Sequence, residues 1–521
     1  MSVAQTVRRR WWIAPLVLAL VALAILVKII TTPLQVSASV SDGDQQVART
    51  SAIDLNFNKD MDAASVRHAF AISPSVAVTF KAISPREFQF WPKMAPNTRY
   101  QATLTNAHEA SGGGQVSATI TFKTEPAPTV SRVLVDSNAI SDGTSGIAPK
   151  GSVELVFTQA MQAGRTAITV NDKPLPGAVQ WSSDGKTATL PITLGHSHPY
   201  QLKIAQAAVN RKGDPFLKDW TFSFITRIEV PSQGASDRIG SGAPAIIQIE
   251  NSVDARPQAG MQQADMIYEY ISEGSIPRLS AIYWHGMPDL VGPVRSCRLI
   301  TIRLVLMYHG MIYCSGANDY VLGMVWQHPN LVNDYSRGQG NVFYRSSDRY
   351  APHNVMMHGG NASTFTASAN LPAPPYDIAP KHDDPGFKGD PATQVVVDDH
   401  AAVWTYDPGS KEYLKTQDGA PFMNVGTGRV HAKTVIVENV TSYLDTNPAN
   451  TFHGYHTEAY ELTGTGKADI YVDGVVIHGT WYHPDPNVPA VYLDQNGEPI
   501  TLPTGLTWVH VIGSTKWHSG I

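Results

Sequence analysis

An internal repeat with a period of about 100 residues runs from residue 36 to residue 228. The segment from Leu55 to Met61 is similar to that from Leu155 to Met161, and Tyr100 and Tyr200 begin matching later runs. Each copy contains short runs of alternating apolar and polar residues, separated by Gly, Pro, Asn and Asp, as is typical of antiparallel strands and turns. The repeat therefore predicts two consecutive all-β sandwiches, at residues 36–126 and 127–228.

The segment before the repeat is apolar. Arg8, Arg9 and Arg10 precede a run from Trp11 to Ile30 that is interrupted only by Pro15 and Lys28. Such a run is long enough to cross a bilayer as a helix, and its basic flank predicts a cytoplasmic stub at residues 1–10. We expect an uncleaved transmembrane signal anchor at 11–31, with the bulk of the chain extracytoplasmic. A cleaved signal peptide is the alternative.

The composition limits the functional classes. The chain has 521 residues and a formal net charge of -5, without a block of Lys and Arg that could follow a nucleic-acid backbone. Nucleic acid is therefore not an expected partner. No Walker or dinucleotide glycine pattern precedes a helix, so no cofactor is predicted.

After Arg227 the pattern changes. Buried strands are predicted at Ala245–Glu250, Met266–Ile271 and Met311–Cys314, and a buried helix at Cys297–Tyr308. Strands alternating with a helix indicate an α/β or α+β domain, which we place at 229–371. A Pro-rich linker at 372–392 and a smaller β-rich domain at 393–521 follow, the latter with hairpin turns such as Val472-Asp473-Gly474.

The segment 251–354 contains eight Arg, eight Asp or Glu, and no Lys. Because guanidinium groups are always charged and present a rigid donor fork, this bias indicates either fixed ion pairs or an anion site. If Met266–Ile271 is a strand, Glu269 points toward an apolar layer and must be paired or have a raised pKa. Residues predicted to bind the ligand are Asn251, Arg256, Arg278, Arg295, Arg298 and Asn354.

Glu269 and Glu273 are candidates for a general acid and base, and His353, in the Pro352-His353-Asn354 loop, is a third catalytic candidate. The alternative for each is a structural ion pair or a surface residue. His353 and His358 lack a third ligand at metal spacing, so no metal site is predicted. Ser296 is expected to cap the helix. Cys297 and Cys314 could form a disulfide or remain two buried thiols.

Two family resemblances follow from these motifs. The Phe-x-x-x-Met pair followed by a Tyr resembles the bacterial Ig-like domains of surface-layer and envelope proteins, which implies spacer or adhesive modules. Motifs of the distal half resemble the N- and C-terminal domains of the YerB-like bacterial lipoproteins: Ala255-Arg256-Pro257-Gln258-Ala259-Gly260, Gly292-Pro293-Val294-Arg295-Ser296, Ala351-Pro352-His353-Asn354 and Thr463-Gly464-Thr465-Gly466-Lys467. That family implies a membrane-tethered extracytoplasmic protein with domains of unknown function.

This chain departs from that family by its predicted membrane helix in place of a lipidated Cys and by its two Ig-like modules. The expected fold is one transmembrane helix, two all-β Ig-like sandwiches, an α/β (or α+β) domain and a smaller β-rich domain. The expected function is binding of an anionic wall component, a cell-wall polymer, or an envelope protein partner. The alternative is a hydrolase of wall glycan or phosphate-linked polymer that uses Glu269 and Glu273.

Overall fold

The computed structural model describes residues 15–23, 32–175, 177–234, 236–328, 332–335, 341–379, 386–445, 451–452 and 455–514. Of the predicted membrane segment at 11–31, these ranges include only 15–23, which form a helix, α1. The remainder of that segment and the predicted stub at 1–10 lie outside the described residues. Among the helices of the described ranges, none combines the length and the apolarity needed to span a membrane.

The first module packs two antiparallel sheets, with strand orders β1-β2-β5-β4 and β3-β6-β7, around a core that includes Phe57, Met61 and Phe88. The elements are β1 (Val36–Ala38), β2 (Ile53–Phe57), α2 (Ala63–Ala69), β3 (Phe70–Ser73), β4 (Val78–Ser84), β5 (Glu87–Pro92), β6 (Arg99–His108) and β7 (Gln115–Lys123).

The second module also packs two sheets, with orders β14-β15-β11-β8-β9 and β10-β17-β16-β12-β13. The strands are β8 (Val130–Val135), β9 (Asn138–Ile140), β10 (Thr144–Ile147), β11 (Lys150–Phe157), β12 (Ile168–Val170), β13 (Lys173–Pro174), β14 (Gln180–Trp181), β15 (Thr187–Thr193), β16 (Pro199–Ile204) and β17 (Trp220–Thr226).

The two sandwiches share an equivalent hydrogen bond at the repeated tyrosine. The Tyr100 hydroxyl accepts a hydrogen bond from the backbone N–H of Ala95, and the Tyr200 hydroxyl accepts one from Gly195, each at 2.9 Å. Each bond fixes the loop that precedes the strand containing the tyrosine, as a tyrosine corner does in Ig-like sandwiches. Met61 and Met161 are both buried in their module's core.

Residues beyond 228 form a distal head. Its first half contains β18 (Glu229–Val230), β19 (Ala245–Glu250), β20 (Met266–Ile271), β21 (Pro277–Tyr283), β22 (Leu290–Val291), α3 (Leu299–Tyr308), β23 (Met311–Cys314), α4 (Asp319–Gln327), β24 (Val332–Asp334), β25 (Phe343–Arg345), β26 (Val355–His358), α5 (Gly359–Ser368) and β27 (Asp377–Ile378).

The second half of the head is built from strands. They are β28 (Asp390–Pro391), β29 (Gln394–Val397), β30 (Ala402–Asp407), β31 (Glu412–Gln417), β32 (Ala420–Pro421), β33 (Met423–Asn424), β34 (Gly428–Arg429), β35 (His431–Ala432), β36 (Thr434–Leu444), β37 (Thr451–Phe452), β38 (Tyr455–His456), β39 (Glu458–Glu461), β40 (Gly464–Val472), β41 (Val475–His483), β42 (Val491–Leu493) and β43 (Thr507–Gly513).

One sheet of 12 strands runs through both halves of the head, and its main path is β24-β23-β19-β21-β20-β43-β36-β40-β41-β28. The final strand, β43, lies between β20 of the first half and β36 of the second, and is parallel to both. The two halves, which the sequence predicts as separate domains divided by a linker, therefore share one sheet. The second half adds a smaller sheet of five strands, β29 to β32 with β35.

Over the central strands β19, β20, β21 and β43, both faces of the large sheet are buried, each against its own apolar core. One core contains Ile246, Tyr268 and residues of α3, and the other contains Ile249, Ile267 and Trp508. Because successive side chains of a strand point to opposite faces, polar residues that are neighbours in the sequence lie on opposite sides of the sheet, next to different cores. This alternation determines how the candidate site residues are grouped.

The helix boundary differs from the sequence prediction. The N-cap of α3 is Arg298, not Ser296, and the Arg298 N–H donates to the Thr301 hydroxyl at 2.8 Å. The Ser296 hydroxyl instead donates to the Ser315 carbonyl at 3.1 Å. Cys297 and Cys314 form a disulfide, which decides between the two alternatives that the sequence leaves open.

Candidate functional site

The predicted site residues fall into two polar clusters on opposite faces of the large sheet. We call the first the arginine cluster, which consists of Glu250, Glu273, Arg278, Arg295, Arg298 and His353. The second is the lysine cluster, which consists of Asn251, Glu269, His400, Lys415 and His510. Glu250 and Asn251 are consecutive at the end of β19, so their side chains point to opposite faces and separate the clusters.

Strand direction brings the arginine cluster together. β19 and β23 are parallel, and β20 runs in the same direction because both β19 and β20 are antiparallel to β21. The carboxyl ends of these strands therefore lie at one edge of the sheet, which is where open sheets with helices commonly bind ligands. The first turn of α3 begins at the same edge, and its free N–H groups add partial positive charge there.

Glu273 and Arg298 form a close ion pair within the arginine cluster. Arg298 Nη2 donates to Glu273 Oε2 at 2.7 Å and Arg298 Nε lies 2.5 Å from Oε1. The hydroxyls of Ser272 and Thr457 also donate to this carboxylate. Burial alone would raise the pKa of Glu273, but the charge and hydrogen bonds of Arg298 outweigh burial and lower the pKa to about 2. Glu273 is thus a fixed carboxylate at neutral pH.

Glu250 contacts two other members of the arginine cluster, Arg295 and His353. Its Oε1 lies 3.2 Å from Arg295 Nε and 3.0 Å from His353 Nδ1, and it accepts a hydrogen bond from the Ser252 hydroxyl at 2.9 Å. Glu250 is not among the residues predicted from the sequence, although its position at the end of a buried strand is a usable signal. The structure therefore brings Arg295 and His353 together on a carboxylate that was not predicted.

Arg278 is buried near Glu273 but has no direct carboxylate partner in the described part of the chain. The residue is 6% exposed, and among the described residues it forms no ion pair. Its Nη1 donates to the Ser296 carbonyl at 3.4 Å, whereas its Nε is buried without a partner. Burial, and then the neighbouring charge of Arg298, lower the pKa of Arg278 to about 10. A buried guanidinium of this kind is costly unless an anion reaches it.

The lysine cluster is sealed from solvent. The Lys415 ammonium lies 2.5 Å from Glu269 Oε2, and both side chains are 0% exposed. Trp508 Nε1 donates to the same oxygen at 2.8 Å, and Asn251 Nδ2 donates to Glu269 Oε1 at 3.3 Å. Burial lowers the pKa of Lys415 to about 8, against the opposing effect of the Glu269 charge. Both Lys415 and Trp508 belong to the second half of the head.

The lysine cluster also contains a group of possible metal ligands. One donor atom each of Glu269, His400 and His510 lies within 4.8 Å of the other two. However, Trp404 Nε1 donates to His510 Nε2 at 2.9 Å, which requires a neutral His510 to carry its proton on Nδ1. That Nδ1 faces His400 Nδ1 at 2.7 Å.

A metal ligand needs a lone pair where this geometry places a proton, and the Lys415 ammonium occupies the same oxygen of Glu269. Burial, and then the charges of His400 and Lys415, hold the pKa of His510 well below its usual range. The arrangement therefore fits a proton-sharing network better than a cation site.

Two remaining candidates have structural partners. Arg256 Nη1 donates to Asp418 at 2.6 Å, and its Nη2 donates to the Asn251 carbonyl at 2.8 Å. Asn354 accepts a hydrogen bond from Arg345 at 2.6 Å. Lys415, His400 and His510 could not be selected from the sequence, because they lie more than 100 residues from Glu269 without a local motif.

Three segments of the chain match known family profiles. Residues 233–371 match the profile described as protein of unknown function (DUF3048) N-terminal domain, and residues 393–509 match the DUF3048 C-terminal domain. Residues 30–124 match a bacterial Ig-like domain, Big_5.

YerB of Bacillus subtilis (strain 168), a predicted lipoprotein, is 23% identical over 326 residues, which cover 57% of this chain and 89% of YerB. The crystal structure of YerB from Bacillus subtilis aligns with a TM-score of 0.45 at 20% identity, covering 55% of this chain and 97% of that one. The N-terminal part of the bacterial S-layer protein SbsC aligns with a TM-score of 0.18 at 10% identity, covering 39% of this chain and 47% of that one. The distal head therefore matches the N- and C-terminal domains of DUF3048, which are of unknown function, and the first module matches a bacterial Ig-like domain.

Proposed function

We propose that this protein is an envelope protein held at the outer face of the cell membrane, and that its arginine cluster binds an anionic group of a cell-wall polymer or of an envelope protein. The apolar run at 11–31 supports attachment to the membrane, as does the name of the Bacillus subtilis relative. The Cys297–Cys314 disulfide supports an oxidising, extracytoplasmic location for the head. The two sandwiches then act as a stalk between the membrane and the head.

One observation carries the binding proposal. Arg278 is buried beside Arg295 and Arg298, yet the carboxylates of the cluster contact only the latter two. An incoming oxyanion at Arg278 would supply the missing countercharge and occupy the donor fork of its guanidinium. The N-terminus of α3 favours negative charge at the same place.

The hydrolase alternative has less support. Glu269 has no exposed surface through which to reach a substrate, and Glu273 holds no proton to donate at neutral pH. Hydrolysis with these two residues as acid and base would require both to leave their ion pairs. Binding of an anion at Arg278 would leave both of those ion pairs in place.

The test uses the full-length chain and purified cell-wall fractions, with retention and released products both measured. We expect the Arg278→Gln variant to lose retention by about tenfold or more, because truncating a buried charged contact commonly costs several kcal/mol. The control is Arg303→Gln, which changes an arginine of α3 that pairs with Glu461 away from the cluster. Unchanged retention in a folded Arg278→Gln protein would contradict the proposal. Product release that Glu269→Gln abolishes would support the hydrolase instead.

A further inference from the structure

The arginine cluster contains more guanidinium groups than carboxylates. It contains three guanidinium groups, those of Arg278, Arg295 and Arg298, and two carboxylates, those of Glu250 and Glu273. The guanidinium groups therefore outnumber the carboxylates by one, and Arg278 is the one without a direct carboxylate partner among the described residues. The side chains of Glu250, Glu273, Arg278 and Arg298 are all at least nine-tenths buried, so solvent compensates this charge poorly.

The two carboxylates also limit what can enter. Glu250 Oε2 is buried and has no hydrogen-bond partner among the described residues, and Glu273 is held in place by Arg298. A second negative charge on the ligand would lie against these fixed carboxylates. Like charges at close range in a poorly solvated site repel strongly.

We infer that the ligand group is a singly charged oxyanion, either a phosphodiester or a carboxylate, and not a phosphate monoester. This inference rests on the proposed function and narrows its ligand class. One negative charge neutralises the cluster, and two oxygens of such a group match the donor fork of Arg278.

The surface beside the cluster indicates that the charged group is part of a larger molecule. Val253 is 69% exposed and Tyr350 is 60% exposed. The Tyr350 ring packs edge-on against His353 with 5.4 Å between ring centroids, and Arg349 donates to the Ala255 carbonyl at 2.8 Å, which fixes this loop beside Val253. An apolar or ring-shaped part of the ligand can therefore rest on this rim.

The test compares two probes that differ by one methyl group and one charge. Dimethyl phosphate is a monoanion, whereas methyl phosphate is mainly a dianion at pH 8 because its second pKa is about 6. Binding of each to the full-length protein is measured by calorimetry at pH 8 and constant ionic strength. We expect dimethyl phosphate to bind about tenfold more tightly, since the second charge of methyl phosphate meets Glu250. Acetate in a third titration distinguishes a carboxylate source from a phosphodiester source.

The Glu250→Gln variant is the matched test of the charge count. Removing one carboxylate leaves two uncompensated positive charges, so the preference for dimethyl phosphate should shrink or reverse. Tighter binding of methyl phosphate to the unchanged protein would overturn the monoanion inference and leave the anion site intact. Failure of dimethyl phosphate, methyl phosphate and acetate alike to bind would overturn the proposed function together with the inference.

Discussion

Lys415 and Glu269 form an ion pair with no exposed surface, and Lys415 also lies 4.2 Å from the centre of the Trp508 ring. Breaking a buried pair by removing one partner leaves an uncompensated charge, whereas replacing both charges with neutral groups is often tolerated. Replacing only one of the two residues should therefore destabilise the head more than replacing both.

We expect Lys415→Met to lower the free energy of unfolding of the head by about 3 to 5 kcal/mol. Adding Glu269→Gln to that variant should restore most of the loss, because the double variant buries neither charge and Trp508 can still donate to the amide oxygen that replaces Oε2. Urea unfolding of the two single variants and the double variant measures this coupling. If the losses of the single variants simply add, Glu269 and Lys415 do not form a structural pair.

Some residues of the two polar clusters could be predicted from the sequence. The excess of arginine over lysine identified the segment that contains Arg278, Arg295 and Arg298, and the strand pattern placed Glu269 toward an apolar layer. The sequence could not separate the residues into two clusters, because that requires knowing which face each strand presents. Lys415 could not be predicted either, since it comes from β31 of the smaller sheet and reaches Glu269 of β20 only when the two sheets pack together.

Among the elements, β43 joins the two halves of the head. It supplies backbone hydrogen bonds to β20 on one side and to β36 on the other, and its residues from Thr507 to Val511 are buried. Without β36 and β43, the first half would expose the edge of β20 and the apolar side chains of both cores. Exposed apolar edges of this kind favour aggregation.

A chain that ends at residue 392 should therefore not fold its head. We expect its head residues to be cleaved rapidly in limited proteolysis, whereas co-expression with residues 393–521 should restore protection. The control is the pair of sandwiches at residues 32–228, whose strands form sheets only within their own modules. A cooperative unfolding transition for the isolated 229–392 segment would show that the first half folds by itself.

Individual strands could be predicted because the apolar run that indicates a strand lies within the strand itself. The strands Ala245–Glu250, Met266–Ile271 and Met311–Cys314 were predicted with the observed bounds. Parallel pairing of β43 with β20 joins segments about 240 residues apart, and an apolar run carries no information about its partner. The linker predicted at 372–392 thus separates two segments that fold around a common sheet.

At the scale of the whole molecule, polar contacts connect the modules. Asp214 of the second sandwich is buried and accepts hydrogen bonds from the N–H groups of Arg49 and Thr50, at 2.9 and 3.0 Å. Arg227 Nε donates to Asp377 of the head at 2.6 Å. These contacts link the two sandwiches to each other and the second sandwich to the head. The expected multidomain β-rich architecture with an Ig-like domain is confirmed.

The central claim is that Arg278 receives a singly charged oxyanion from outside the chain. The most direct measurement is a crystal structure of the protein with p-bromobenzoate, in which the anomalous signal of bromine locates the ligand. We expect the carboxylate to lie on the guanidinium groups of Arg278 and Arg295, with the ring over the rim formed by Val253 and Tyr350. A structure in which Arg278 is instead paired with a carboxylate of the protein, and bromobenzoate is absent from the cluster, would contradict anion binding at Arg278.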